Sequence, residues 1–94
     1  MNEVSSRELV PGTKYLVQWK QQSGNYRWYR YEALWTFVSY EKRQHEPDKL
    51  IWSGRPACGT QDMNVGNFLS AVQLDRAPSV PRRIGEMPRE HRDL

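Results

Sequence analysis

The sequence predicts a small all-β domain of four to five antiparallel strands, and three observations carry this prediction. Residues 13–20 alternate between apolar and polar side chains, which is the period of a half-buried strand. Residues 25–40 hold seven of the eleven aromatic residues. Glycine, proline and asparagine separate these runs. A chain of 94 residues with 37% hydrophobic content supports one small core, and large rings that bury roughly 150 to 250 Å² each supply much of it.

The first strand is predicted in "TKYLVQWK". Tyr15, Val17 and Trp19 share one face of it, and polar side chains dominate the other. The following "QQSGN" contains Gly24-Asn25, a combination typical of a hairpin turn. We therefore expect the first two strands to run antiparallel.

The second strand, "NYRWYRYEALWTFVSY", is long. A helical stripe with spacings of three and four also passes through it, but aromatic and β-branched residues favour a strand. Its length predicts one bent strand with a bulge near Ala33-Leu34. The predicted core face holds Tyr29, Tyr31, Trp35 and Phe37. The opposite face holds Tyr26, Trp28, Arg30, Glu32, Leu34 and Tyr40, and either contacts a partner or is buried as well, by barrel closure or dimerisation.

The remaining elements are shorter. "EKRQHEPDK" predicts a polar turn, "LIWS" a strand, residues 54–67 a long loop, and "FLSAVQL" a last strand with Phe68, Val72 and Leu74 on one face. Ser5 and Glu8 have the spacing of a capping box, with room for one helical turn before Pro11-Gly12. We expect an N-terminal arm (1–8), a β domain (9–76) and a flexible, proline-containing tail (77–94).

This order of strands resembles an SH3-like small barrel over residues 9–75. "PGTKYLVQW" leads into the first strand, and "GNFLSAVQL" leads into the last strand through an expected 3₁₀ turn. The acidic-aromatic motif and the tandem Trp pair of polyproline-binding SH3 domains are absent. "LIWSGRPACGTQDM" with the downstream "LSAVQL" is also similar to small proteins of unassigned function from actinobacterial bacteriophages. That resemblance implies a small accessory protein acting on a host or virion component.

The distribution of charge bears on the choice between protein and nucleic-acid partners. The net charge is +3, with ten Lys and Arg against eight Asp and Glu in residues 1–80. This even balance favours a protein partner over a polyanion. Partner contacts are expected from the long strand and the long loop, at Tyr26, Trp28, Arg30, Arg55, Gln61, Asp62 and Met63. Met63 has an alternative role, as a side chain that plugs the open end of the barrel. Nucleic-acid binding is the alternative function, through Lys14, Lys20, Arg27, Trp28 and Arg30, where Trp28 offers a ring for stacking unpaired bases.

Catalysis is not expected, and an enzyme that uses Cys58 is the remaining alternative. No residue near Cys58 in the sequence supplies a base, and His45 and His91 lie far from it along the chain. No spacing typical of a zinc site, a phosphate-binding loop or a cofactor site is present. The lone cysteine and the absence of a long apolar run predict a cytoplasmic protein without a membrane span, in the host cytoplasm if it is encoded by a phage. The sequence leaves open whether it is a monomer or a homodimer.

Overall fold

The computed structural model describes residues 3–54, 59–74 and 76–87, and these residues form an all-β domain, as predicted. Within these described residues six antiparallel strands are present, where four to five were expected. They are β1 (Lys14–Gln22), β2 (Trp28–Glu41), β3 (Lys49–Ser53), β4 (Thr60–Asn64), β5 (Phe68–Gln73) and β6 (Arg82–Glu86). A 3₁₀ turn at Val65–Asn67 leads into β5, which confirms that expectation.

The strands form one sheet in the order β4-β3-β2-β1-β5, and β6 also pairs with β2. Within the described residues β4 and β5 do not pair with each other, so the sheet stays open where the sequence predicted a barrel. β2 pairs with β1 along one edge. Its other edge is shared by β6, near the start of β2, and β3, near its end.

The irregularities in β2 lie on either side of the predicted position and not at it. Pairing with β1 continues without a shift through Ala33 and Leu34. The register with β3 shifts instead between Phe37 and Ser39, and Val38 is left exposed there. A further shift relative to β6 lies between Arg30 and Tyr31. The bulges therefore fall within the pairings with β3 and β6.

One face of the sheet forms the core. Tyr15, Val17 and Trp19 of β1 are buried, which confirms the alternation read from the sequence. From β2, Trp35 and Phe37 are buried as predicted, whereas Tyr29 and Tyr31 are half-buried. The other core residues are Leu9, Ala33, Leu50, Trp52, Met63 and Ala71.

Trp52 is fully buried and makes edge contacts with two other rings. Its ring centroid lies 6.4 Å from that of Tyr15 and 5.2 Å from that of Phe37. Such edge-to-face pairs contribute roughly 0.5 to 1.5 kcal/mol beyond the burial of apolar area. The rings therefore compensate for a small number of aliphatic side chains.

The face expected for the last strand was partly wrong. Ala71 is fully buried opposite Val17, whereas Val72 pairs with Leu16 on the other face. The register between β1 and β5 shifts near Gln18 and Trp19, which lets Phe68 and Ala71 both pack on the core. A two-residue alternation counted from Phe68 therefore misplaces Val72.

The N-terminal arm makes the single turn expected from its capping-box spacing. The Ser5 N–H donates to the Glu8 carboxylate at 3.1 Å, and the Glu8 N–H donates to the Ser5 carbonyl at 3.0 Å. Hydrogen bonds from the Ser5 N–H and from the Ser5 side chain to the carboxylate lower the pKa of Glu8. Before the turn, Val4 donates to the Ala71 carbonyl, so the arm lies against β5.

The predicted loop 54–67 is partly a strand. Thr60–Asn64 forms β4 and pairs with β3, while Arg55 and Cys58 lie outside the described residues. Thr60, Gln61 and Asp62 are exposed, and only Met63 is buried. A strand with this burial pattern has little hydrophobic period, which explains why the sequence indicated a loop.

The prediction of a flexible tail from residue 77 was wrong for residues 77–87. Leu34 donates its N–H to the Pro78 carbonyl at 2.9 Å, β6 pairs with β2, and the Met87 N–H donates to the Trp28 carbonyl at 2.8 Å. Met87 is also buried. Amino-acid composition reflects apolar burial alone, whereas hydrogen bonds to the free edge of β2 hold this segment. Residues 88–94 lie outside the described residues.

Candidate interaction surface

The β1–β2 turn presents a bare aromatic ring. Tyr26 is 77% exposed and adopts a positive φ of 65°. The turn is held by the Tyr26 N–H donating to the Ser23 carbonyl at 3.0 Å, and by the Ser23 N–H donating to the Arg27 carbonyl at 2.9 Å. The backbone therefore holds Tyr26 in the left-handed region.

Two cations and an indole lie beside this turn. Lys20 and Arg30 are directly opposite each other on β1 and β2, and the Lys20 ammonium lies 5.6 Å from the centroid of the Trp28 ring. Like charges in opposite positions of a sheet oppose pairing, so this arrangement does not serve strand association. We name the group Lys20, Tyr26, Trp28 and Arg30 the hairpin surface. Three of the predicted partner residues and three of the predicted nucleic-acid residues meet there, with Trp28 and Arg30 common to both sets.

β6 brings two further arginines that the sequence analysis assigned to a tail. Arg82 lies opposite Glu32 and forms an ion pair with it, and the Glu32 side chain is only 11% exposed. Glu32 also accepts a hydrogen bond from Gln18 at 3.3 Å. The Arg83 guanidinium lies 4.0 Å from the centroid of the Tyr29 ring. A strand as long as β2 leaves part of an edge unpaired beside shorter neighbours, but nothing in the hydropathy of residues 82–86 indicates that they occupy it.

Two described carboxylates beside the hairpin surface are already paired, whereas Asp62, which lines the adjoining cleft together with Lys20, forms no ion pair. Glu32 pairs with Arg82, and Glu86 lies 3.6 Å from the Arg27 guanidinium. Within the described residues Lys20 and Arg30 have no ion pair. The hairpin surface therefore offers positive charge to a ligand.

A cleft of about 460 Å³ adjoins this surface between β1, β2 and β4. The exposed Gln61 and Asp62 line it together with the half-buried Lys20, so three predicted contact residues meet here. Met63 also lines the cleft but is only 6% exposed and packs in the core. Its position agrees with the alternative role of a plugging side chain.

Three stacked rings form a wall of the cleft. The centroids of Trp19 and Trp35 lie 4.6 Å apart with planes inclined by 22°, and those of Trp19 and Tyr31 lie 5.9 Å apart with planes inclined by 16°. The two indoles meet across Val17 and Ala33, which face each other between them in the register. The small Ala33 side chain leaves room for this contact. Because the rings stack on one another, they do not form the walls of a cage for a cationic ligand.

The remaining predicted nucleic-acid residues do not join the hairpin surface. Lys14 lies at the other end of β1 from Lys20, about 20 Å away along an extended strand. Arg27 is engaged with Glu86. The five residues predicted to bind nucleic acid therefore do not form one surface, because Lys14 and Arg27 are separated from the other three.

The described residues show no cluster suited to a metal ion. Within residues 3–54, 59–74 and 76–87, no three His, Cys, Asp or Glu side chains are grouped to hold one. The same part of the chain contains no helix long and apolar enough to cross a membrane. Comparisons with models of protein families, with curated proteins and with solved structures find no match to this chain.

Proposed function

We propose that this protein is a non-catalytic interaction module that binds a partner protein through the hairpin surface. Gln61 and Asp62, at the rim of the adjoining cleft, contribute polar contacts. The resemblance to actinobacterial phage proteins supports an accessory role on a host or virion component in the cytoplasm.

The conformation and exposure of Tyr26 carry the proposal. A non-glycine residue with positive φ is uncommon, and such a conformation costs roughly 1 kcal/mol or more. The ring gains no compensating burial, since 77% of the residue is exposed. Neither feature stabilises the fold, whereas tyrosine is enriched at protein interfaces and supplies large contact area with little loss of side-chain freedom.

The state of the neighbouring rings favours a protein over a single-stranded nucleic acid. Platforms for single strands offer successive bare rings on which bases stack. Here the Lys20 ammonium lies over Trp28, and the Arg83 guanidinium lies over Tyr29. Tyr26 is the ring of this group that is largely exposed. Bases that stack along β2 would first have to displace the cations from Trp28 and Tyr29.

Nucleic-acid binding remains the second candidate because β6 adds positive charge. Arg82 and Arg83 lie along β2 beside Arg30, in a segment that the sequence analysis placed in a tail. Contacts of this kind with phosphates would make binding strongly dependent on salt.

A comparison of the wild type with Tyr26→Asn tests the proposal. Asparagine tolerates positive φ better than tyrosine, so we expect the variant to be as stable as the wild type or more stable by about 0.5 to 1 kcal/mol. We expect it to lose partner binding because the ring is gone. Urea titration measures the free energy of unfolding. Capture of a partner from an actinobacterial host lysate, with and without nuclease, measures binding.

Val10→Ala is the matched control, because Val10 is also exposed but lies outside the hairpin surface. Nuclease-resistant capture that Tyr26→Asn abolishes and Val10→Ala retains supports the proposal. Capture that disappears with nuclease, or weakens steeply with salt, favours the nucleic-acid candidate. Capture unaffected by Tyr26→Asn contradicts a role for the hairpin surface.

A further inference from the structure

A second, smaller pocket lies between the turn of the N-terminal arm and the end of β2. Its volume is about 220 Å³, and it is lined by Ser6, Arg7, Leu9, Phe37, Tyr40 and Lys42. None of these residues belongs to the hairpin surface, so a role of this pocket does not depend on the proposed function.

The floor of the pocket is apolar and rigid. Leu9 and Phe37 belong to the core and are 8% and 2% exposed. Tyr40 adds its ring, while its hydroxyl donates to the Asp48 carboxylate at 2.8 Å. The hydroxyl is therefore satisfied, and the ring is held in place beside the pocket.

The rim carries two cations that form no close ion pair in the described part of the chain, and both are near enough to Asp48 to help lower the pKa of its carboxyl. Arg7 and Lys42 form no ion pair there. Three nearby carboxylates are already engaged. Glu8 accepts from the Ser5 N–H, Glu41 pairs with Arg43, and Asp48 accepts from Tyr40 and from the Arg43 N–H at 3.1 Å.

We propose that this pocket binds the C-terminal residue of a peptide that ends in an apolar side chain. The side chain would rest on Leu9, Phe37 and Tyr40, and the terminal carboxylate would pair with Arg7 and Lys42. Capture of a chain-terminal carboxylate is a recurrent mode of peptide recognition. The volume lies below the roughly 300 to 1,000 Å³ of sites for drug-sized ligands, so it suits one residue.

Amide NMR titrations of the full chain test this proposal with two matched probes. N-acetyl-leucine carries the carboxylate, and N-acetyl-leucinamide differs from it only at that group. We expect N-acetyl-leucine to shift the resonances of Leu9, Phe37 and Tyr40 in a saturable manner, and the amide to shift them little. A tetrapeptide acid ending in leucine should bind at least as tightly as N-acetyl-leucine.

Three surface substitutions test whether the two cations at the rim bind the carboxylate of N-acetyl-leucine. Arg7→Gln and Lys42→Gln should each weaken binding of N-acetyl-leucine about two- to fivefold, the effect of removing one solvent-exposed charge pair. Arg43→Gln is the control, since Arg43 neighbours Lys42 but pairs with Glu41 and does not line the pocket. Equal binding of acid and amide, equal effects of all three substitutions, or failure of the tetrapeptide to bind would overturn the proposal.

Discussion

At the scale of single residues, the Trp35 side chain connects the core to the segment after β5. Its indole stacks on Trp19 inside the core, and its Nε1–H donates to the Ser79 carbonyl at 2.9 Å. A side chain on Gly54 would come within 3.0 Å of the same nitrogen, so glycine leaves the room that this hydrogen bond needs. The sequence correctly placed Trp35 in the core, but not its contact with Ser79.

We therefore expect Trp35→Ala to lower the free energy of unfolding by about 3 to 5 kcal/mol, because it leaves a cavity and removes the hydrogen bond to Ser79. Chemical denaturation followed by circular dichroism measures this change. Val38→Ala, at an exposed position of the same strand, should change stability by no more than about 0.5 kcal/mol. Equal midpoints for wild type and Trp35→Ala would show that the indole is not a core residue.

At the scale of elements, the strands found from the sequence are those with a buried face. β1 and the second half of β2 alternate because one side chain in two is buried. β4 buries only Met63, and every residue of β6 is exposed, so neither has a burial pattern to recognise. β4 and β6 are both held by backbone hydrogen bonds to a neighbouring strand. The hydropathy of the side chains does not indicate such bonds. For the same reason Tyr26, Trp28 and Arg30 could be proposed from the sequence, whereas Arg82 and Arg83 could not.

Because β6 pairs with β2, removal of the segment after Ala77 should destabilise the domain. A chain that ends at Ala77 loses three hydrogen bonds described above. The Leu34 N–H and the Trp35 indole no longer have the carbonyls of residues 78 and 79 as acceptors, and the Met87 N–H is gone. At about 1 kcal/mol for each bond, these three bonds alone account for a loss on the order of 3 kcal/mol, and the lost pairing of β2 with β6 adds to it, so the urea midpoint should fall.

Two substitutions in the full chain refine this test. Arg82→Ala removes the ion pair of the nearly buried Glu32 and should destabilise the protein, whereas Arg76→Ala, at an exposed position before β6, should not. An unchanged midpoint on truncation would mean that β6 is not held in solution.

The turn between β2 and β3 predicts a dependence of stability on pH. The Arg43 N–H and the Tyr40 hydroxyl both donate to Asp48 and lower the pKa of its carboxyl. The same hydrogen bond with Asp48 raises the pKa of Tyr40. A lowered carboxyl pKa contributes stability that is present above the unfolded value, near 4, and is lost as the pH falls through the folded value.

Asp48→Asn should therefore be less stable than the wild type at pH 7, and the difference should shrink as the pH falls below about 4. The raised pKa of Tyr40 acts at the other extreme, because its contribution is present below about pH 10 and is lost as the pH rises further. Urea midpoints of both proteins between pH 2.5 and 7 measure the acid effect. A difference that is independent of pH would contradict a role for the carboxylate charge.

At the scale of the whole molecule, the positive charge is more localised than the net charge of +3 suggests. The first half of β2 lies between β1 and β6, two strands that are far apart in the sequence. Together these three strands bring four cations close to one another: Lys20, Arg30, Arg82 and Arg83. In the sequence, ten Lys and Arg against eight Asp and Glu in residues 1–80 disfavour a polyanionic partner. That count leaves out Arg82 and Arg83, whose position beside β2 depends on the fold. The covered rings, rather than the charge, are what favour a protein partner.

The shared edge of β2 also has a consequence for the order in which the molecule assembles. Glu32 and Arg82 are 50 positions apart, whereas β2 follows β1 after a short turn. Closing so long a stretch of chain costs more entropy than closing a hairpin, so pairing of β2 with β6 is expected after that of β1 with β2. Until then the edge beside Tyr29, Arg30 and Tyr31 has open hydrogen-bonding groups, and it can accept the β6 of a neighbouring molecule as readily as its own.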